Sequence, residues 1–86
     1  MRRICVFCSS SDRLDPVYRE AAEAMGRAIA ERGAELVWGG ARLGLMGILA
    51  QSAQRHGGRV TGVIPRMLVQ AGIAYASADE LIETGD

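Results

Sequence analysis

Eighty-six residues make one domain at most, and with 49% of them apolar the chain belongs with soluble globular proteins rather than disordered ones. Ten acidic residues balance ten basic ones and interleave with them, so there is no broad basic face for nucleic acid. All ten basic residues are arginine, which excludes a lysine Schiff base and a P-loop lysine, and no apolar run approaches the roughly 18 residues that a membrane span needs.

Met1-Arg2-Arg3 before Ile4-Cys5-Val6-Phe7 has the look of a leader peptide. The apolar run is too short, however, and no small-residue cleavage site follows, so the expected location is cytoplasmic. The run Ile4-Cys5-Val6-Phe7-Cys8 predicts a first strand over residues 3–8. Its two thiols have C-x-x-C spacing, but residues three apart on a strand point to opposite faces. They are therefore expected as small buried hydrophobes and not as a redox pair.

Residues 9–14 are polar and predict a loop, and Asp15-Pro16 predicts a helix start with the aspartate as N-cap. Tyr18, Ala22, Met25 and Ile29 form an apolar stripe at helical spacing, while Arg19, Glu23, Arg27 and Glu31 form a face of alternating charge. Gly33 ends that helix. Leu36-Val37-Trp38 predicts a second strand, and residues 45–55 a second helix with Leu45, Leu49 and Ala53 on one face. His56 caps its C-terminus and Gly57-Gly58 stops it. Residues 60–64 predict a third strand ended by Pro65, residues 67–69 one helical turn, and residues 79–83 a weak fourth strand or short helix. Tyr18 and Trp38 are both expected in the core.

This order predicts an α/β architecture: a Rossmann-like, three-layer fold with a parallel sheet, present in part as β-α-β-α-β plus a short tail. Residues 1–86 form a single nucleotide-binding domain on this reading. Such a sheet leaves one edge open and one face thinly covered, so the chain is expected to be a fragment or one partner of an assembly.

The stretch Val37-Trp38-Gly39-Gly40-Ala41-Arg42-Leu43-Gly44-Leu45-Met46-Gly47 follows the second strand. In a parallel sheet, ligands bind beyond the carboxyl ends of the strands, where helix N-termini present N–H groups. Gly39, Gly40 and Gly44 allow an anion close to the backbone there, Arg42 adds a charge-assisted contact, and Met46 follows directly. Ser9 and Ser10 emerge at the same edge after the first strand. The dinucleotide fingerprint belongs after strand one, where this chain has serines, so an NAD-type site is excluded. The pattern calls for no cofactor and no metal. Of the acidic residues, only Asp12 falls near the ligand edge.

Ile4-Cys5-Val6-Phe7-Cys8 plus serines, Asp15-Pro16-Val17-Tyr18, Leu36-Val37-Trp38-Gly39-Gly40, Gly44-Leu45-Met46-Gly47 and Gly62-Val63-Ile64-Pro65 together resemble the LOG ("Lonely guy") family, over essentially the whole chain. These are cytokinin riboside 5′-monophosphate phosphoribohydrolases. The resemblance implies a Rossmann-like dimer that hydrolyses the N-glycosidic bond of a nucleoside 5′-monophosphate. It places Gly39, Gly40 and Gly44 on the phosphate and ribose side of the pocket, with Ser9 and Ser10 beside the nucleotide.

The family's P-G-G-x-G-T-x-x-E signature and the arginine-bearing segment that acts with it do not occur in this sequence. Ser9 replaces a usual glycine, Ala41 a frequent third glycine, and Gly72 a usual substrate-contacting glutamate. The expected site is thus nucleotide-binding, formed by Ser9, Ser10, Gly39, Gly40, Arg42, Gly44 and Met46, with no catalytic residue. The expected ligand is an AMP-like nucleoside monophosphate, and the expected partner a second copy or a longer relative. A nucleotide-sensing module without catalysis, or a structural remnant pairing with a full-length relative, are the alternatives.

Overall fold

A computed structural model of the chain describes residues 2–8 and 15–85. In chain order the elements are β1 (Arg3–Cys5), α1 (Pro16–Glu31), β2 (Glu35–Trp38), α2 (Gly44–Arg55), β3 (Val60–Pro65), α3 (Arg66–Gln70) and β4 (Glu80–Thr84). The four strands form one parallel sheet in the order β1-β2-β3-β4. The tail is a strand, not a helix: Glu80 to Thr84 pair with Thr61 to Pro65 along their whole length. Pro65 is the last residue of β3 rather than the first beyond it, a position where its missing N–H costs little.

Right-handed crossovers between strands laid down in sequential order all fall on one side of a sheet. Accordingly α1 and α2 pack side by side on the same face. Gly26 permits the contact: a Cβ there would lie 2.6 Å from the Leu49 carbonyl oxygen and 2.8 Å from Ser52 Cβ. At the same crossing the buried Ser52 hydroxyl donates to the Glu23 carbonyl at 2.6 Å. The β3–β4 crossover has only the short α3. Residues 71–78 then run back beside α2, tied to it where Tyr75 Oη donates to Gln54 Oε1 and Gln54 Nε2 donates to the Ser77 carbonyl, each at 2.7 Å.

The core lies between this helical layer and the sheet. Leu36, Trp38, Val60 and Ile64 point inward from the strands, and Ile29, Leu49, Ala50 and Ala53 meet them from the helices. Gly33 and Gly57 end α1 and α2 with φ of +69° and +86°, as the helix-stop reading requires. His56 Nδ1 lies 2.8 Å from the Ser52 carbonyl one turn back, a C-terminal capping contact. Arg27 Nε donates to Glu31 at 2.9 Å on the charged face of α1.

Three expectations are corrected. Asp15 occupies the N-cap position, but its side chain makes no capping bond; its carbonyl accepts from Tyr18 N at 3.0 Å, and Pro16 sets the helical φ. Tyr18 is 58% exposed and Met25 47%, so the first turns of α1 do not enter the core. The strand beneath them, β1, is only three residues long, and α1 meets the sheet mainly at β2. The thiols also differ from the buried pair expected: Cys5 lies on the face of β1 away from α1 and α2 and is exposed, and Cys8, beyond the strand, is half-buried. Burial pushes the Cys8 thiol pKa up, so it is a poor nucleophile.

Among the described residues, no helix lies on the opposite face of the sheet. Strand alternation puts Arg3, Cys5, Glu35, Val37, Thr61, Val63, Glu80 and Ile82 there. Glu35 is nonetheless buried, because its carboxylate accepts from Thr61 Oγ1 (2.6 Å), Arg3 Nε (2.9 Å) and Arg59 Nε (3.0 Å). The Thr61 hydroxyl bond, then the two guanidinium groups, hold its pKa below the usual carboxylate value against the opposing effect of burial.

Candidate functional site

Parallel pairing brings the carboxyl ends of all four strands to one edge, and the glycine-rich loop leaves β2 at that edge. Gly40 is buried with φ +78°, and a Cβ on it would lie 3.0 Å from Ile64 Cβ. Gly62 reciprocates, since its Cβ would lie 2.6 Å from Gly40 Cα. These two glycines let the loop backbone lie directly on β3. Gly47 does the same within the turn, where a Cβ would overlap the Arg42 carbonyl oxygen. Gly44 opens α2 with φ +57°.

Residues 72–75 strap this loop in place. Ala41 and Ala74 form an antiparallel bridge, Arg42 N donates to the Ile73 carbonyl at 2.9 Å, and Tyr75 N donates to the Gly40 carbonyl at 2.8 Å. The Arg42 side chain joins the strap too, its Nε donating to the Gly72 carbonyl at 2.9 Å. Beneath the loop, Trp38 Nε1 donates to the Ala41 carbonyl at 3.3 Å and its ring meets Tyr75 edge to face at 5.7 Å. Burial, then the charge of Asp79, pushes the Tyr75 phenol pKa up, so this ring stays neutral.

Of the residues singled out in the sequence, Gly39, Gly40, Gly44 and Met46 come together at the carboxyl edge. Met46 lies across Gly39, where a Cβ would meet its methyl group, and it also packs on the core. Arg42 sits in the same loop but leans toward Gly72. Ser9, Ser10 and Asp12 lie outside the described residues. Tyr75 was missed by the sequence reading; its signal is Gly72, which at φ +78° ends α3 and starts the strap three residues before it.

Beside this loop, beyond the end of β1, an apolar groove of about 210 Å³ opens between α1 and α2. Val6, Phe7, Tyr18, Met25, Leu45 and Leu49 line it, and Leu45 in the first turn of α2 joins it to the glycine loop. The arrangement pairs an apolar wall with a helix N-terminus, a combination suited to a ligand with a flat apolar part and an anionic part. Three carboxylates elsewhere are committed. Glu83 lies 3.9 Å from Arg66, Asp79 accepts from Val60 N at 2.7 Å, and Glu35 serves the far side of the sheet. Among the described residues no three His, Cys, Asp or Glu side chains gather to hold a metal ion, and no helix is long and apolar enough to cross a membrane.

A parallel sheet with a glycine-rich loop at its carboxyl edge defines a Rossmann-type α/β protein. Within that class the chain belongs to the SLOG cluster4 family, whose sequence profile matches residues 1–85. It is 45% identical to a cytokinin riboside 5′-monophosphate phosphoribohydrolase of Arabidopsis thaliana, over 99% of this chain and 39% of that protein. It is 44% identical to the protein of that name from Mycobacterium marinum, over 94% of this chain and 43% of the other. Among solved structures, the molybdenum cofactor binding protein of Rippkaea orientalis superposes with a TM-score of 0.82 at 25% identity, covering 98% of this chain and 50% of that one. The molybdenum cofactor carrier protein of Chlamydomonas reinhardtii gives 0.77 at 28% identity, covering 99% and 51%. The chain thus spans about two-fifths of these curated relatives and half of these solved chains.

Proposed function

We propose that this chain is the nucleotide-binding part of a LOG-like phosphoribohydrolase, which releases base and ribose 5-phosphate from a nucleoside 5′-monophosphate. The observation that carries this is the 44–45% identity to proteins of that name across nearly the whole chain. The glycine loop and the α2 N-terminus take the phosphate, with Arg42, Gly39, Gly40, Gly44 and Met46 around it and Ser9 and Ser10 beside it. The groove behind Leu45 gives the base an apolar wall.

Cleavage of an N-glycosidic bond passes through an oxocarbenium-like state that needs a placed carboxylate and an activated water. The buried Glu35 is engaged by three donors on the other side of the sheet, so no catalytic role is assigned within this chain. We therefore expect it to bind and not to cut unless joined by further residues, from a second copy or a longer relative. A binding module without catalysis is the second reading, supported by the solved neighbours named as cofactor binding and carrier proteins.

Calorimetric titration of the chain with AMP, and an assay for free base from AMP or a cytokinin riboside monophosphate, test the proposal. Binding without base release is expected. Arg42→Ala should weaken binding about tenfold, the scale of one charge-assisted hydrogen bond. Unchanged affinity in that variant overturns the phosphate assignment, and base release well above background overturns the assignment of no catalyst. Gly40→Val is unsuitable as a probe, because its side chain would strike Ile64.

A further inference from the structure

The glycine loop is poorly equipped to order itself. Gly39 and Gly40 open it and Gly44 closes it, and glycine restricts the backbone less than any other residue. Its conformation is imposed from two sides. The strap takes the Gly40 carbonyl and the Arg42 N–H, and in a bridge of this register the polar groups of Ala41 between them face away from the strap. There Trp38 Nε1 donates to the Ala41 carbonyl. The strap has little burial of its own to hold it, since none of residues 71–78 is buried. It is anchored to the last turn of α2 through Gln54, which accepts from Tyr75 Oη and donates to the Ser77 carbonyl. Tyr75 therefore makes three connections at once. Its N–H holds the Gly40 carbonyl at 2.8 Å, its ring meets Trp38 edge to face at 5.7 Å, and its hydroxyl reaches Gln54 at 2.7 Å. Because α2 begins at Gly44, where the loop ends, loop, helix and strap form a closed circuit that Tyr75 completes.

Building on the nucleotide-binding reading above, we propose that Tyr75 is a positioning residue of that site, holding the glycine loop in the conformation that receives the phosphate. Tyr75 acts through the loop and not on the ligand, since its bonds end on the Gly40 carbonyl and on α2. Arg42 is set by the same strap, its N–H on the Ile73 carbonyl and its Nε on the Gly72 carbonyl, each at 2.9 Å. A loop ordered in advance spares the ligand the entropy of ordering it, so loosening the strap weakens the hold on the anionic part of the ligand. The apolar groove is lined from α1, α2 and residues 6–8, with no residue of the strap. The hold on an apolar base is therefore independent of Tyr75. Removal of the hydroxyl alone leaves the ring on Trp38 and the core beneath it in place, so the effect on the loop is separable from an effect on the fold.

Tyr75→Phe keeps the ring and removes only the bond to Gln54. Calorimetric titration should show AMP affinity lowered about fivefold, the scale of one neutral hydrogen bond, with adenosine affinity unchanged. Hydrogen exchange, read without ligand, should show the Arg42 amide proton exchanging faster by about the same factor. The Leu36 amide, bonded to the Arg59 carbonyl within the sheet, should keep its wild-type rate. Gln54→Ala should reproduce both effects, and adding Tyr75→Phe to it should lower AMP affinity no further, since the two side chains share one bond. Unchanged AMP affinity in Tyr75→Phe overturns the proposal, and so does an unchanged Arg42 exchange rate. Equal losses for AMP and adenosine with faster Leu36 exchange overturn it as well, because Tyr75 would then stabilise the fold in general. Should the wild type bind no AMP, the nucleotide reading fails, and Arg42 exchange in Tyr75→Phe decides by itself whether Tyr75 orders the loop.

Discussion

The two faces of one sheet are built from the same four strands, residue by residue in alternation, and they behave as different materials. On the helical side Leu36, Val60 and Ile64 have no exposed surface and Trp38 has 2%. On the other side polar and apolar residues alternate, and the carboxylate of Glu35 is held by three donors. The difference does not come from hydrophobicity alone, since Val63 and Ile82 are as apolar as Val60 and Ile64. It comes from where the crossovers go. Strands added one after another in a single direction carry every right-handed crossover to the same side.

This contrast is testable by substitution, and the effects should fall steeply from one face to the other. Trp38→Ala empties the middle of the covered side and should cost about 3–5 kcal/mol in chemical denaturation; a cost below about 1 kcal/mol would mean that the helical layer does not hold the sheet. Gly26→Val should be next, because its side chain would push α1 off the Leu49 carbonyl and Ser52. A loss of about 2–3 kcal/mol is expected from overpacking at the helix crossing.

On the open side, Glu35→Ala should cost about 1–3 kcal/mol, since it strands the Thr61 hydroxyl and loosens two guanidinium groups. Because the folded-state pKa of Glu35 lies below its unfolded value, the stability it contributes is fully present above the unfolded pKa. It is lost as pH falls through the folded pKa. The wild type should therefore lose stability in acid more steeply than Glu35→Gln; identical pH profiles would remove the carboxylate from the account. Ile82→Ser should be smallest, within about 0.5 kcal/mol in the isolated chain, as for exposed positions generally. A large effect there would mean the face is already covered.

Much of the fold is legible in the sequence for identifiable reasons. Gly33 and Gly57 stop helices because the left-handed backbone they adopt is cheap only for glycine. The glycine loop is recognised by its place between β2 and α2, and Trp38 by its place in an apolar strand. Tyr18 and Met25 were misjudged because helical periodicity says which residues share a face and not what lies opposite that face. Here the strand opposite is three residues long. Cys5 failed for the mirror reason: alternation put it on one side of β1, and only the strand order shows that this side has no cover.

Within the candidate site, the sequence picked out the glycines but not their division of labour. Gly40 and Gly62 appeared as anion ligand and strand residue, yet the chain folds them against each other, 22 positions apart, so that loop and β3 can touch. The hold of residues 72–75 on the loop depends on pairings across about thirty positions, for which no local pattern exists.

What the sequence by itself determined is the kind and order of the elements up to the third strand and the family they belong to, because turn chemistry and apolar period are local. Which face of the sheet is buried, which glycines meet, and where Arg42 points were decided only by the tertiary structure. Those features depend on crossover handedness and strand order, which bring distant residues together and which no window of neighbouring residues contains.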